Sequence, residues 1–225
     1  NQPLPQGGRV GIVTNAGGPG IMCADACEAA GLEVPELPDE LRNTLLEFLP
    51  AEAGLLNPID MIATATAEHY RATIRSVAEW DGIEALIVIF IRPLLTRAED
   101  VAEAIRQAVE EMPREIPVQA VFMSAKDHAA MTSVGGVPTH LYPEDAARAL
   151  GRVIRHVDWR GRPAEEPPEF PDIRIEEGAA IIAEALASGH EWLEMDESAP
   201  LLDCYGVAIP EWRVARDPGA AGEAA

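Results

Sequence analysis

The sequence predicts an α/β protein built on a doubly wound parallel sheet, and three observations predict it. Short apolar runs rich in β-branched residues alternate with amphipathic helical stretches. The run inside Glu84 to Ile91 (EALIVIFI) is apolar without interruption, and the first run, Arg9 to Thr14 (RVGIVT), passes through a Gly-rich turn into a helix. An unbroken apolar run marks a strand buried on both faces, as in the middle of a parallel sheet. Strands alternating with helices make βαβ units. Five strands, each followed by a helix, match the flavodoxin-like plan.

The elements follow in order. Arg9 to Thr14 is the first strand, and Ile21 to Ala30 is the helix after the turn Asn15-Ala16-Gly17-Gly18-Pro19-Gly20. Pro19 fits a first helical turn, where a missing N–H costs nothing. Gly31 ends that helix, and Leu32 to Leu37 reads as a second, edge-like strand that tolerates Pro35. Asp39 to Phe48 has helical spacing between Pro38 and Pro50, and a loop holding Asn57-Pro58-Ile59-Asp60 follows. Ala67 to Glu79 is an amphipathic helix, and Ala85 to Ile91 the third strand. Thr96 to Glu111 is a helix with Thr96 as its cap and acids in its first turn. Val118 to Met123 is the fourth strand, Ala125 to Thr132 a short helix, Pro138 to Tyr142 the fifth strand and Pro143 to Val157 the last helix.

Residues 1–158 therefore form the flavodoxin-like domain. Residues 159–173, with Pro163, Pro167, Pro168 and Pro171, read as a stiff linker. Residues 174–225 hold a helix, Ile175 to Ser188, and from Met195 the beginning of something new. The chain starts at Asn1 and ends in Gly219-Ala220-Ala221-Gly222-Glu223-Ala224-Ala225, so both ends read as cut.

Composition narrows the partners. Acidic residues number 38 against 17 basic ones, a formal charge of −21. Such a chain repels nucleic acid and anionic membranes, yet a local cluster of donors can still bind phosphate. Three cysteines, Cys23, Cys27 and Cys204, do not make a disulfide framework and fit a reducing cytoplasm. No stretch approaches the ~20 apolar residues of a membrane span, and no signal-peptide pattern opens the chain.

The Gly-rich turn carries the strongest chemical signal. A helix that starts at such a turn aims free N–H groups and the positive end of its dipole outward. Glycines let an anion approach the backbone. Asn15, Ala16, Gly17, Gly18 and Gly20 are the candidate phosphate-binding residues. The bland alternative is a tight strand-to-helix connection. The pattern is neither the dinucleotide fingerprint nor a P-loop, because no Lys-Ser/Thr follows Gly20.

Asn57 and Asp60 are candidate cleft-lining residues, held rigidly around Pro58; an Asx-type turn uses the same residue types. Cys23 and Cys27 share a helix face but lack companion metal ligands, which reads as small core residues. His69, His128, His140, His156 and His190 stand apart from one another and read as surface or capping histidines, and no nucleophile elbow is present. No catalytic residue and no metal site are expected in this chain.

RVGIVTNAGGPGIMCADACEAAGLEV, followed by LLNPIDM, Phe90-Ile91-Arg92-Pro93, IPVQAVFM, GVPTHLYPEDAARAL and Trp159-Arg160, resembles a subdomain of a known family. It is similar to the last CoA-ligase-type subdomain of NDP-forming acyl-CoA synthetases, the ADP-forming acetyl-CoA synthetase group. More distantly it resembles the carboxy-terminal domain of the succinyl-CoA synthetase β subunit. The resemblance spans Gln2 to about Arg162, and the NAGGPG and NPxD motifs at this separation carry it. Glu194 to Arg216 resembles the opening helix and strand of the family's ATP-grasp domain, without the usual basic residue in that helix.

The resemblance implies a fragment of an enzyme, inactive alone, that interconverts acyl-CoA, ADP and phosphate with acid, CoA and ATP through a phosphohistidine. It implies ATP/ADP, Mg and CoA as cofactors of the full-length protein, with none bound by this fragment. The implied partners are phosphate and the phosphohistidine-bearing and ATP-grasp subdomains, and a homo-oligomer is compatible. The turn 15–20 would be one of two helix N-termini facing the phosphorylated histidine. The same domains fused to an acetyltransferase, as in protein lysine acetyltransferases, would instead be a sensor half. A receiver would need an acidic cluster where Asn15-Ala16-Gly17 stands, and a flavin module would need aromatics that this chain lacks.

Overall fold

A computed structural model describes all residues except 1, 94–95, 125, 127–132, 164–169, 212, 214, 216–218, 220–221 and 223–225. The chain divides into two compact units, Asn1–Pro163 and Ala164–Ala225.

The first unit begins β1 (Val10–Thr14), α1 (Gly17–Ala29), α2 (Asp39–Leu46), β2 (Gly54–Leu55), β3 (Ile59–Asp60) and α3 (Ala67–Glu79). It continues β4 (Ala85–Phe90), α4 (Ala98–Glu111), β5 (Val118–Phe122), β6 (Ser133–Val134), β7 (Val137–His140) and α5 (Pro143–Arg160). The sheet order is β2-β3-β1-β4-β5-β7-β6. Five neighbouring strands, β3, β1, β4, β5 and β7, run parallel, and antiparallel β2 and β6 finish the two edges. Taken in chain order the parallel strands stand 2-1-3-4-5, the flavodoxin-like arrangement.

Side-chain alternation explains the two covered faces. In β4, Ala85, Ile87 and Ile89 join Val10, Ile12, Cys23, Cys27, Leu150 and Ile154 beneath α1 and α5. Leu86, Val88 and Phe90 face the other way, onto Tyr70, Ile74 and Ile105 of α3 and α4. A strand buried on both sides has no polar positions, and the apolar run in the sequence reports that. Tyr70, Phe90 and Phe122 stack edge to face with centroids 6.0 and 5.9 Å apart. The Tyr70 hydroxyl donates to the Ile89 carbonyl at 2.8 Å, so its polar end is satisfied although burial holds the phenol well above its ordinary pKa.

Several expectations change. The second parallel strand is Ile59–Asp60, not Leu32 to Leu37. Of the latter only Glu33 forms a β-bridge, with Arg9, the residue before β1. Pro35 and Pro38 have no N–H to continue that ladder, and Leu37 turns into the core instead. The segment around Asp60 is thus partly strand and not only loop. Finally, Thr96 does not cap α4. The cap position is Arg97, whose side chain makes no capping hydrogen bond, and the Thr96 hydroxyl donates to the Ala65 carbonyl at 2.9 Å.

The fifth parallel strand starts at Val137, one residue before Pro138, and ends at His140. A two-residue turn at Gly135 and Gly136, both at positive φ, joins it to β6. The last helix runs on to Arg160. The expected short helix Ala125 to Thr132, including His128, lies outside the described residues but for Lys126.

The second unit contains α6 (Ile175–Ala187) and α7 (Met195–Cys204). The Arg174 N–H donates to the Cys204 carbonyl at 2.9 Å, and its guanidinium meets Asp203 at 2.6 Å. No strand follows α7 among the described residues. Among the described residues no helix is long and apolar enough to cross a membrane.

Candidate functional site

The site is built at the carboxyl ends of β1 and its two neighbours. β1 stops at Thr14, whose register partners are Asp60 of β3 and Ile89 of β4. The chain must leave the sheet here without stranding the polar groups of its neighbours, and two asparagine side chains do this.

Asn15 is buried. Its carboxamide donates to the Ile91 carbonyl at 2.8 Å and accepts from the Ile91 N–H at 2.9 Å. That pair reproduces one more rung of the β1–β4 ladder with a side chain, so the backbone of residue 15 is released to turn. Asn57 does the same on the other edge. It accepts from Ile12 N–H at 2.9 Å and donates to the carbonyls of Val10 at 2.9 Å and Pro35 at 3.0 Å. These Val10 and Ile12 groups lie in the gap between Glu33 and Ile59, where no strand backbone reaches them. Both asparagines are thus bonded to backbone and hold the frame of the turn.

α1 begins at Gly17, with Ala16 extended at the cap position and no side-chain cap. The Thr14 hydroxyl accepts from the Ala16 N–H at 3.1 Å and donates to the Ala16 carbonyl at 3.0 Å. The first helical bond is Gly20 N–H to Ala16 carbonyl, at 3.4 Å, and Pro19 has no N–H. The amides of Gly17 and Gly18 therefore remain as the donors of this helix end.

The glycines differ in what they do. Gly18 is exposed, and a Cβ there would meet nothing within 4 Å. A Cβ on Gly20, which is buried, would stand 3.1 Å from both the Pro58 Cβ and the Thr14 Cγ2. Gly20 lets α1 lie against the Asn57–Pro58 segment, whose peptide bond is cis. A Cβ on Gly17 would stand 3.0 Å from Asp60 Oδ2. The other oxygen of Asp60 accepts from the Ile62 N–H at 2.9 Å, an Asx turn that holds Ile62 at φ 58°.

The structure brings Gly17, Gly18, Gly20, Asp60 and Pro58 together, and sets Asn15 and Asn57 behind them. Composition alone misses Thr14 and Ile91, because one acts through a hydroxyl at a strand end and the other through its backbone. Cys23 and Cys27 lie on the buried face of α1, and hydrogen bonding to Cys27 together with burial pushes the Cys23 thiol up. The described histidines are spread out. His69 completes the capping box of α3, His140 meets Gln119 at 2.8 Å, His156 stacks on Trp159 and His190 meets Glu197 at 3.0 Å. Among the described residues no three His, Cys, Asp or Glu side chains group to hold a metal.

Residues 10–138 match the family model described as the Ligase-CoA domain, more than half of the chain. The chain belongs to the Ligase-CoA domain family. The chain is 39% identical over 160 residues to the acetate–CoA ligase [ADP-forming] II subunit alpha of Pyrococcus furiosus, covering 68% of this chain and 35% of that one. It is 29% identical over 215 residues to acetate–CoA ligase [ADP-forming] I of Archaeoglobus fulgidus, covering 93% of this chain and 30% of that one. The chain spans about a third of the length of these relatives. A solved protein of Pyrococcus horikoshii OT3 superposes with a TM-score of 0.68 at 36% identity, covering 72% of this chain and 38% of that one. The dinucleotide-forming acetyl-coenzyme A synthetase 1 of Ca. Korarchaeum cryptofilum shares the fold at 23% identity, with a TM-score of 0.64, covering 72% of this chain and 37% of that one.

Proposed function

We propose that this Ligase-CoA domain is part of an ADP-forming acyl-CoA synthetase, an acid–thiol ligase that interconverts acyl-CoA, ADP and phosphate with acid, CoA and ATP. Within that enzyme, the N-terminus of α1 receives the phosphoryl group of a phosphohistidine presented by another subdomain. The observation that carries the reading is the pair of uncommitted amides, Gly17 and Gly18, at the carboxyl edge of the central strands. The family relationship supports it, through relatives named as ADP-forming ligases.

The chemistry asked of this chain is electrostatic. A helix N-terminus stabilises an anion by typically ~0.3–1 kcal/mol when exposed and up to ~2 kcal/mol when partly buried. Two N–H donors add directed bonds to phosphate oxygens. Gly17 and Gly18 bind, Thr14 and Asn15 orient the turn, and Gly20 with Pro58 fixes the helix against the sheet. In a chain of charge −21, such a local donor pair offsets a repulsive average field. Asn57 and Asp60 act as the supporting wall.

ATP/ADP, Mg and CoA belong by this reading to other parts of the enzyme. The second unit, with α6 and α7, is the approach to the ATP-grasp domain. Cytoplasmic placement fits the free, buried cysteines. The test is to express the full-length enzyme and supply acyl-CoA, ADP and phosphate. ATP and free acid should appear together and only with all three present. An enzyme that releases AMP, or hydrolyses the thioester without making ATP, overturns the reading.

A further inference from the structure

We propose that the Asp60 carboxylate opposes the anion held at the start of α1, so that the phosphoryl group stays transferable and is not trapped there. The proposal rests on the function assigned above to Gly17 and Gly18.

Register and alternation put Asp60 at that end of the helix. Thr14 and Asp60 are the last paired residues of β1 and β3. Val13 and Ile59, one residue earlier on each strand, face α3 and α4. Successive side chains of a strand alternate, so Thr14 and Asp60 face α1. There Asp60 Oδ2 lies beside Gly17, so close that a Cβ on Gly17 would stand 3.0 Å from it. The absence of a side chain at Gly17 leaves the room that the carboxylate occupies.

The two oxygens of Asp60 differ in use. Oδ1 accepts from the Ile62 N–H at 2.9 Å, which fixes the side chain in place. Oδ2 has no hydrogen-bond partner among the described residues, and no arginine there pairs with Asp60. Glu111, by contrast, faces both Arg71 and Arg75. The Asp60 charge is half-buried and unpaired, beside the positive end of the α1 dipole. It takes up part of that dipole's field and repels a second anion bound there, with less screening than a fully exposed charge has. Reversible transfer needs such an opposing charge. On discharge the histidine N–P bond breaks as an ADP β-phosphate oxygen bonds to phosphorus, giving ATP and a free imidazole. A helix end without the carboxylate would hold the phosphoryl group more tightly and deepen the well from which that step starts.

The test removes the charge and keeps the turn. Asp60→Asn is isosteric, and its carbonyl oxygen still accepts from the Ile62 N–H; Asp60→Ser is also neutral and keeps that bond with a hydroxyl. The full-length enzyme is phosphorylated with labelled ATP, and ADP is titrated to find the concentration that discharges half of the phosphohistidine. Asp60→Asn should need about tenfold more ADP than the unmodified enzyme, which is about 1.4 kcal/mol in favour of the phosphoenzyme. Asp60→Ser should shift the same way, and it decides the matter if Asp60→Asn loses its thermal transition. A merely structural role would lower the phosphoenzyme or leave it alone. An unchanged ADP midpoint overturns the proposal alone, because the charge is then not felt. A lower midpoint also overturns it, because the carboxylate then holds the phosphohistidine. An unmodified enzyme that forms no phosphohistidine overturns both this and the function it rests on.

Discussion

Asn15 pairs with the backbone of Ile91 in both directions, at 2.8 and 2.9 Å, and so lengthens the β1–β4 ladder by a rung made from a side chain. The turn at Ala16–Gly18 can leave the sheet because Ile91 keeps its partners.

Replacing Asn15 by Leu should therefore destabilise the first unit. It strands one N–H and one C=O of Ile91, at ~1–3 kcal/mol for a buried unsatisfied group. We expect a loss of about 3 kcal/mol, read as a lower midpoint in urea with an unchanged slope. An unchanged midpoint would mean that Ile91 finds other partners.

Asn57 holds three backbone groups from two segments. Asn57→Ala should cost about 2–4 kcal/mol by the same logic. It should also speed hydrogen exchange at the Ile12 amide, which Asn57 accepts from. Protection of Ile12 equal to the unmodified protein would show that the gap beside β1 is closed by something else.

Gly18 and Gly20 are predicted to respond in opposite ways. Gly20→Asp forces a Cβ to 3.1 Å from Pro58 and Thr14 and puts a carboxylate in a buried position, so it should cost 3 kcal/mol or more, roughly, and unfold part of the population. Gly18→Asp enters open space, and an acid near a helix N-terminus is favourable by ~0.3–1 kcal/mol. Thermal melts should show Gly18→Asp at or above the unmodified protein and Gly20→Asp well below it.

Glu103 gives a pH prediction. Hydrogen bonds from Arg106 and Gln107 lower its carboxyl to about 2, against 4.5 ordinarily. A carboxyl lowered on folding favours the folded state above the ordinary value, and loses that contribution as pH falls from there through about 2. Its carboxyl carbon resonance should titrate near 2 in the native protein and at higher pH in Arg106→Gln, where the Gln107 hydrogen bond alone still lowers it.

Much of the fold is legible in the sequence because burial writes itself as periodicity. The unbroken run Ala85–Phe90 and the helical spacing of Ala67–Glu79 report faces that are covered or half covered. Ile59–Asp60 is not legible as a strand. Two residues have no period, and its place in the sheet is set by Thr14 and by Asn57 bridging a gap from a distance. The β6–β7 hairpin had a signal, the adjacent Gly135 and Gly136 that supply positive φ, next to a strand too short to show alternation. At the site, Gly-rich spacing marks the turn but not which member does what. Only the contacts of Gly20 and the openness around Gly18 separate the packing glycine from the one beside the donors.

On the function proposed above, the Gly17 and Gly18 amides hold a phosphoryl group. The most direct measurement is the phosphohistidine formed from labelled ATP by the full-length enzyme carrying Gly18→Asp, beside Gly18→Ala as the neutral control. The new carboxylate stays folded but occupies the anion's place at the helix end, so the account predicts phosphoenzyme reduced about tenfold in Gly18→Asp, about 1.4 kcal/mol, and within about twofold of normal in Gly18→Ala. Equal phosphoenzyme in Gly18→Asp and the unmodified enzyme would contradict it, and would reduce the turn to a connection between a strand and a helix.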